Sequence, residues 1–235
     1  MRPKALLFDV FGTLVDWRTS IANQAAAMHG ETPESGGSWT DFADAWRARY
    51  QPAMEEVREG RRPFVVLDVL HRENLDGILP DFGLADISDD LRDEMTLFWH
   101  KLDPWPDSPG GMKRLRTRYD VAAHSNGNIA LMSELSRHAN LPFTNILGAE
   151  ATGYYKPRPE SYLGAARRLS LAPEQCMMVA AHNADLFAAR ELGFQTAFFA
   201  RPMEYGPDQA ANLEAEQQWD YIVGDLEELA GKLNC

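Results

Sequence analysis

The chain of 235 residues is 45% hydrophobic and 25% charged, an ordinary globular balance with room for one good-sized core and a smaller inserted unit. A formal net charge of −12 argues against nucleic acid or an anionic membrane as partner, because both require a basic face that displaces counterions. Two cysteines, Cys176 in an apolar run and Cys235, give neither a disulfide framework nor metal-ligand spacing; with no signal-peptide pattern at the start and no apolar stretch of ~20 residues, the expected compartment is the cytoplasm.

In chain order, Ala5–Phe8 is a short continuous apolar run, expected as a strand buried on both faces. A stretch of different character follows, rich in Trp, Arg and Glu, over 17–102. Apolar residues there recur at three and four positions and predict helices over Trp39–Arg58, 62–74 and 88–101. Residues 31–37 and 103–111 read as loops, the second returning the chain to the core. Further β-rich runs at 119–123, Asn145–Leu147, Cys176–Ala180, 196–199 and 221–223 alternate with helical patterns, and 225–228 starts an exposed terminal helix. The pattern predicts an α/β architecture, a Rossmann-like parallel sheet core (1–16 and 103–235) with an inserted helical cap domain (17–102). Such sheets bind ligands at the carboxyl ends of their strands, where this chain carries Asp9, Ser125 and the His182-Asn183-Ala184-Asp185 stretch.

Asp9 opens the segment DVFGTLVD directly after the first strand. Gly12 and Thr13 let the backbone turn while the carboxylate faces a cleft, although an isolated Asp there could simply end the strand or cap a helix. A carboxylate is a weak nucleophile unless desolvated, ionised and positioned, and Lys156, in Tyr154-Tyr155-Lys156-Pro157, is the natural counter-ion that does this without a metal. By residue type alone Lys156 would be a solvated loop residue. Ser125-Asn126-Gly127-Asn128 is good turn chemistry and also a way to present N–H groups to an anion.

The order strand-DxFGT, strand-HSNG, YYKP and VAAHNADL resembles the four motifs of the haloacid dehalogenase superfamily over nearly the whole chain, most closely the type II, or L-2-haloacid, dehalogenases. The resemblance implies a nucleophile at Asp9, a substrate-carboxylate contact at Ser125 and a halide contact at Asn126. It also implies a cap arginine at Arg47, after Trp46, that stabilises departing halide, as suits a guanidinium facing a diffuse anion. Arg49, Arg58, Arg61 and Arg62 compete for that role. Tyr162, six residues after Lys156, matches the tyrosine near the lysine and nucleophile; Tyr154 and Tyr155 read as packing or pocket wall. Asp185 matches the second essential aspartate, which orients Lys156 and the hydrolytic water. Ala180 and His182 replace a Ser and an Asn common in that stretch. His182 is then either a structural residue or one that orients or deprotonates the water.

Phosphatase relatives carry a second Asp where this chain has Phe11. A phenyl ring cannot protonate a leaving alkoxide or hold magnesium, whereas halide leaves without a proton. The expected activity is therefore metal-independent, cofactor-free hydrolysis of small 2-haloalkanoic acids to 2-hydroxy acids through an aspartyl ester. Thr13 and Phe11 join the substrate site, and Phe11, Trp17 and Phe64 form a compact pocket for short acids, fluoroacetate among them. The rivals are a magnesium-dependent phosphatase on the same fold and a silent carboxylate-binding relative; a homodimer is the family expectation.

Overall fold

The computed structural model describes residues 2–235. The first strand, Ala5–Phe8 (β1), is fully buried along its length, so the sheet around it must be covered on both faces. After Val15–Asp16 (β2) the chain runs into helices Trp17–His29 (α1), Trp39–Arg58 (α2), Leu67–Asp76 (α3) and Asp89–Thr96 (α4), the last continuing as a 3₁₀ turn over Leu97–His100. It returns through Asp103–Pro104 (β3) to Ser108–Leu115 (α5), Asp120–His124 (β4), Ile129–His138 (α6), Asn145–Leu147 (β5), Pro159–Arg168 (α7) and Cys176–Ala180 (β6). Asn183–Glu191 (α8), Gln195–Phe198 (β7), Tyr221–Ile222 (β8) and Leu226–Lys232 (α9) complete the order.

Six strands form one parallel sheet in the order β5-β4-β1-β6-β7-β8, with β1 paired to both β4 and β6. This topology sets the carboxyl ends of β4, β1 and β6 side by side, and with them Ser125, Asp9 and His182. The period of two along β1 divides the core. Leu6 and Phe8 join a large cluster that runs on into the helical insertion through Phe11, Trp46 and Trp99, while Ala5 and Leu7 join Met178, Tyr162 and Leu186 on the other face.

The insertion leaves and returns through the antiparallel pair β2–β3, where Asp16 also caps α1 by accepting from the Thr19 N–H at 3.0 Å. The helix α2 starts at a capping box in which Ser38 and Asp41 satisfy each other's backbone N–H groups. A second tie joins cap to core: His100 meets Glu134 of α6 at 2.7 Å and Asp68 of α3 at 3.1 Å, and Asp68 accepts from Asn128 at 2.8 Å. Burial alone would favour neutral His100, but the bonds to Asp68 and Glu134 outweigh it and raise its pKa. Among the described residues no helix is long and apolar enough to cross a membrane.

Four sequence expectations need correction. The helix expected over 62–74 starts later, at Leu67, because Pro63 disfavours helix in the residue before it and the chain stays irregular through Val66. The loop expected over 103–111 contains β3 and the start of α5, whose Pro109 sits in the first turn, where a missing N–H costs nothing. The helix α1 was not among those expected. The terminal helix α9 is docked rather than exposed, with Leu226, Leu229 and Ala230 buried.

Candidate active site

The Asp9 N–H extends the ladder by donating to the Val179 carbonyl at 3.1 Å, and the side chain then stands at the sheet's edge, 8% exposed. Its Oδ1 accepts from Lys156 Nζ at 2.8 Å. Its Oδ2 accepts from Thr13 Oγ1 at 2.7 Å and lies 2.9 Å from His182 Nδ1. Thr13 reaches back because the chain reverses at Gly12, whose φ of +79° strongly favours glycine. The same hydroxyl accepts from the Ala181 N–H at 3.0 Å, tying this turn to the end of β6. Thr13 therefore positions the carboxylate from behind and is not among the residues lining the cavity.

Lys156 lies on the loop leading into α7, pinned by its own N–H, which donates to Asn126 Oδ1 at 2.7 Å. Its Nζ bridges Asp9 and, at 2.5 Å, Asp185 Oδ2; Tyr162 donates to the other Asp185 oxygen at 2.5 Å. Asp9, Lys156, Tyr162 and Asp185 thus converge from three stretches of chain: the end of β1, the loop and helix of α7, and the start of α8. Ser125 does not face the cavity: its Oγ accepts from the Gly127 N–H at 3.0 Å and holds the turn. Asn126 does line it.

Glu204 escaped the sequence reading. It is 1% exposed, accepts from Trp17 Nε1 at 3.2 Å and lies 2.8 Å from His182 Nε2, so His182 bridges two carboxylates. A Cβ at position 12 would collide with the Glu204 carboxylate, so Gly12 is needed for close approach as well as for its turn. Residues 201–207 carry no periodicity or catalytic spacing that could have flagged Glu204 in advance; only the long irregular connection from β7 to β8 brings it here.

The electrostatics follow from these contacts. Burial would raise the Asp9 pKa, but the Lys156 ammonium and the His182 bond override it and hold the carboxyl far below the usual range. For Asp185 burial dominates and, with the Asp9 charge nearby, pushes its pKa up despite Lys156. Asp9 is thus the more readily ionised of the two carboxyls that flank the lysine. Burial opposes charge on Lys156 and His182 as well, yet Asp185 and Asp9 raise the former and Glu204 and Asp9 raise the latter well above its ordinary value. Both nitrogens of His182 face carboxylates, so the resting site favours its protonated form.

The opposite wall comes from the cap. Arg47 lies under the cap with its guanidinium 4.1 Å from the centre of the Tyr50 ring and 5.5 Å from that of Trp17, and its Nη1 has no hydrogen-bond partner. The competing arginines are paired: Arg49 with the Gly77 carbonyl, Arg61 with Glu56 and Arg62 with Glu73, while Arg58, which also lines the cavity, donates to Glu55 and to the Lys156 carbonyl. Phe11 meets Trp99 edge-on at 5.5 Å and Tyr50 at 6.4 Å. Between the two walls lies a cavity of 720 Å³ reached by Asp9, Phe11, Arg47, Tyr50, Lys156 and His182. Phe64 stays out of it, packing at a tilt against Tyr155, which is buried and donates to the Val65 carbonyl at 2.7 Å; Tyr154 is exposed. Among the described residues no cluster of three or more His, Cys, Asp or Glu side chains is arranged to hold a metal ion.

Residues 3–193 match the family of haloacid dehalogenase-like hydrolases. The (S)-2-haloacid dehalogenase 1 of Pseudomonas sp. strain CBS-3 is 28% identical over 208 residues, covering 86% of this chain and 88% of that protein. A crystal structure of an L-2-haloacid dehalogenase superimposes with a TM-score of 0.93 at 50% identity, over 98% of this chain and 99% of that one. A defluorinating L-2-haloacid dehalogenase gives 0.94 at 42% identity, over 99% and 96%. With a matching family over most of its length and such relatives, the chain belongs to the haloacid dehalogenase-like hydrolases, on their 2-haloacid dehalogenase branch.

Proposed function

We propose that this protein hydrolyses short L-2-haloalkanoic acids to 2-hydroxy acids through a covalent ester on Asp9, without a metal ion. The observation that carries the reading is an ionised, desolvated Asp9 facing, across the cavity, a buried guanidinium with an unused N–H. An anionic nucleophile on one side and an unfilled anion seat on the other suit in-line displacement of a leaving anion. Lys156 supplies the charge that a divalent ion gives in phosphatases, and Phe11 leaves no acid to protonate an alkoxide.

In the first step the Asp9 carboxylate attacks the carbon bearing halogen, a C–O bond forms with inversion, and the C–halogen electron pair leaves with the halide toward Arg47 and Asn126. The ester is neutral, so one of the two anions that held the His182 proton disappears. The imidazolium then releases that proton to solvent through the cavity, the one net proton of the reaction, while Glu204 keeps the Nε2–H in place, and Nδ1 becomes a base. Water attacks the ester carbonyl carbon; one of its protons goes to His182 and the other to the departing hydroxy acid, which restores the resting charges. Lys156, oriented by Asp185 and Tyr162, stabilises the oxyanion of this step.

The test is halide release from both enantiomers of 2-chloropropanoate and from fluoroacetate in the presence of chelator, beside a phosphomonoester with magnesium. Release of halide from the L enantiomer that survives chelation is expected. Phosphate release alone would overturn the reading. A single turnover in heavy-oxygen water should label Asp9; label appearing first in the product would sink the covalent scheme.

A further inference from the structure

Arg47 faces two cavities. A second cavity, of 460 Å³, is lined by Trp17, Asp44, Arg47, Ala48, Gln51 and Tyr205 and is not reached by Asp9. Arg47, Gln51 and Tyr205 line both spaces and are the partition between them. The guanidinium is held between one ring of each, Tyr50 of the first and Trp17 of the second. Nothing in the cycle proposed above uses the second cavity.

We infer that the leaving halide departs through this second cavity, passing along the Arg47 guanidinium, while the acid arrives and the hydroxy acid leaves by the first. The inference rests on the covalent dehalogenation reading. In-line displacement sends the halide away from Asp9, and while the ester persists its acyl group stands between the halide and the first cavity's opening. The second cavity's one lining carboxylate, Asp44, is neutralised by Arg18, which donates to both its oxygens at 2.7 Å. Tyr205, the aromatic member of the partition, is 39% exposed, lies on the connection between β7 and β8 that has no helix or strand, and rests edge-on against Trp17 at 5.6 Å. A soft cation flanked by aromatic rings passes a dehydrated halide more readily than a carboxylic acid, which needs hydrogen bonds for two oxygens.

The test plugs each cavity separately. Ala48 lines only the second cavity and Ala184 only the first, and both are exposed, so Ala48→Phe and Ala184→Phe leave the core untouched. Under single-turnover conditions with L-2-bromopropanoate, ester on Asp9 is followed by rapid quench and mass spectrometry, and free bromide by a halide-sensitive dye. In Ala48→Phe the ester should form at the wild-type rate while free bromide lags severalfold, more with the iodo acid and less with the chloro acid. Ala184→Phe should slow ester formation and introduce no lag. Halide appearing with the ester in Ala48→Phe, or a slowed ester step there, overturns the exit route. Absence of any ester in the wild type overturns instead the reading on which it stands. Ala48→Leu, a smaller plug, should give a smaller lag in the same direction.

Discussion

The two walls of the cavity are built on opposite principles. On the sheet side, Asp9, Lys156, Asp185, Tyr162, His182 and Glu204 form one continuous chain of hydrogen bonds in which each carboxylate meets a cation. On the cap side a single arginine is stacked on aromatic rings with Nη1 unpaired. A saturated network is rigid and holds the nucleophile ready; an unsatisfied cation in a desolvated place is a seat kept open for a charge that exists only once the bond has broken. The charged residues of the sheet wall serve its stability as well as the chemistry, whereas the free N–H of Arg47 serves the chemistry alone.

That contrast can be broken by substitution. The largest effect is expected for Asp9→Asn, which should reduce halide release by at least about 10⁴-fold, since it removes the nucleophile itself. Lys156→Met comes next. Removing one partner of a buried ion pair should cost about 3 kcal/mol or more in denaturant unfolding and should also move the acidic limb of kcat/KM to higher pH, because the ammonium is the main influence lowering the Asp9 pKa. Arg47→Met should lower kcat by about 10²-fold, as for a lost transition-state donor, and yet shift unfolding by less than about 1 kcal/mol, since the lost ring stacking is offset by relief of an unpaired buried charge. If the two variants lost stability equally, the division between the walls would fail.

The smallest effect is a pH dependence. His182 has its folded pKa raised above the unfolded value, so its contribution to stability is fully present below about pH 6.5 and is lost as pH rises through the folded pKa. Glu204→Gln removes the leading cause of that rise. The gap in Tm between wild type and Glu204→Gln should therefore be widest near pH 6 and narrow at alkaline pH; a gap independent of pH would mean that His182 is neutral in the resting site.

Much of the sheet wall was legible because its residues sit where strands end. Ala5–Phe8, Asn145–Leu147 and Cys176–Ala180 were read to the residue, since apolar runs bounded by turn residues mark buried strands, and the motifs follow them directly. Trp39–Arg58 was equally clear from its periodicity. Pro109 hid the start of α5, because proline reads as a breaker although it is tolerated in a first turn. Ser125 and Thr13, expected as substrate contacts, lie beside the site but turn their hydroxyls to the Gly127 N–H and to Asp9, a distinction that depends on which way a turn hydroxyl points and leaves no trace in spacing. Glu204 was invisible for another reason: its partner His182 lies across an irregular connection, and long-range pairing of two lone residues has no period.

The contact between Gly12 and Glu204 also bears on how this sequence can change over time. Any side chain at position 12 occupies the space of the Glu204 carboxylate, so the two positions cannot drift independently. A residue gained at 12 must displace the Glu204 carboxylate or be matched by a shorter residue at 204, and either way the histidine's second anchor is surrendered. The histidine–glutamate pairing is thus guarded by a residue that has no side chain, and laboratory libraries that vary position 12 alone will sample only its loss.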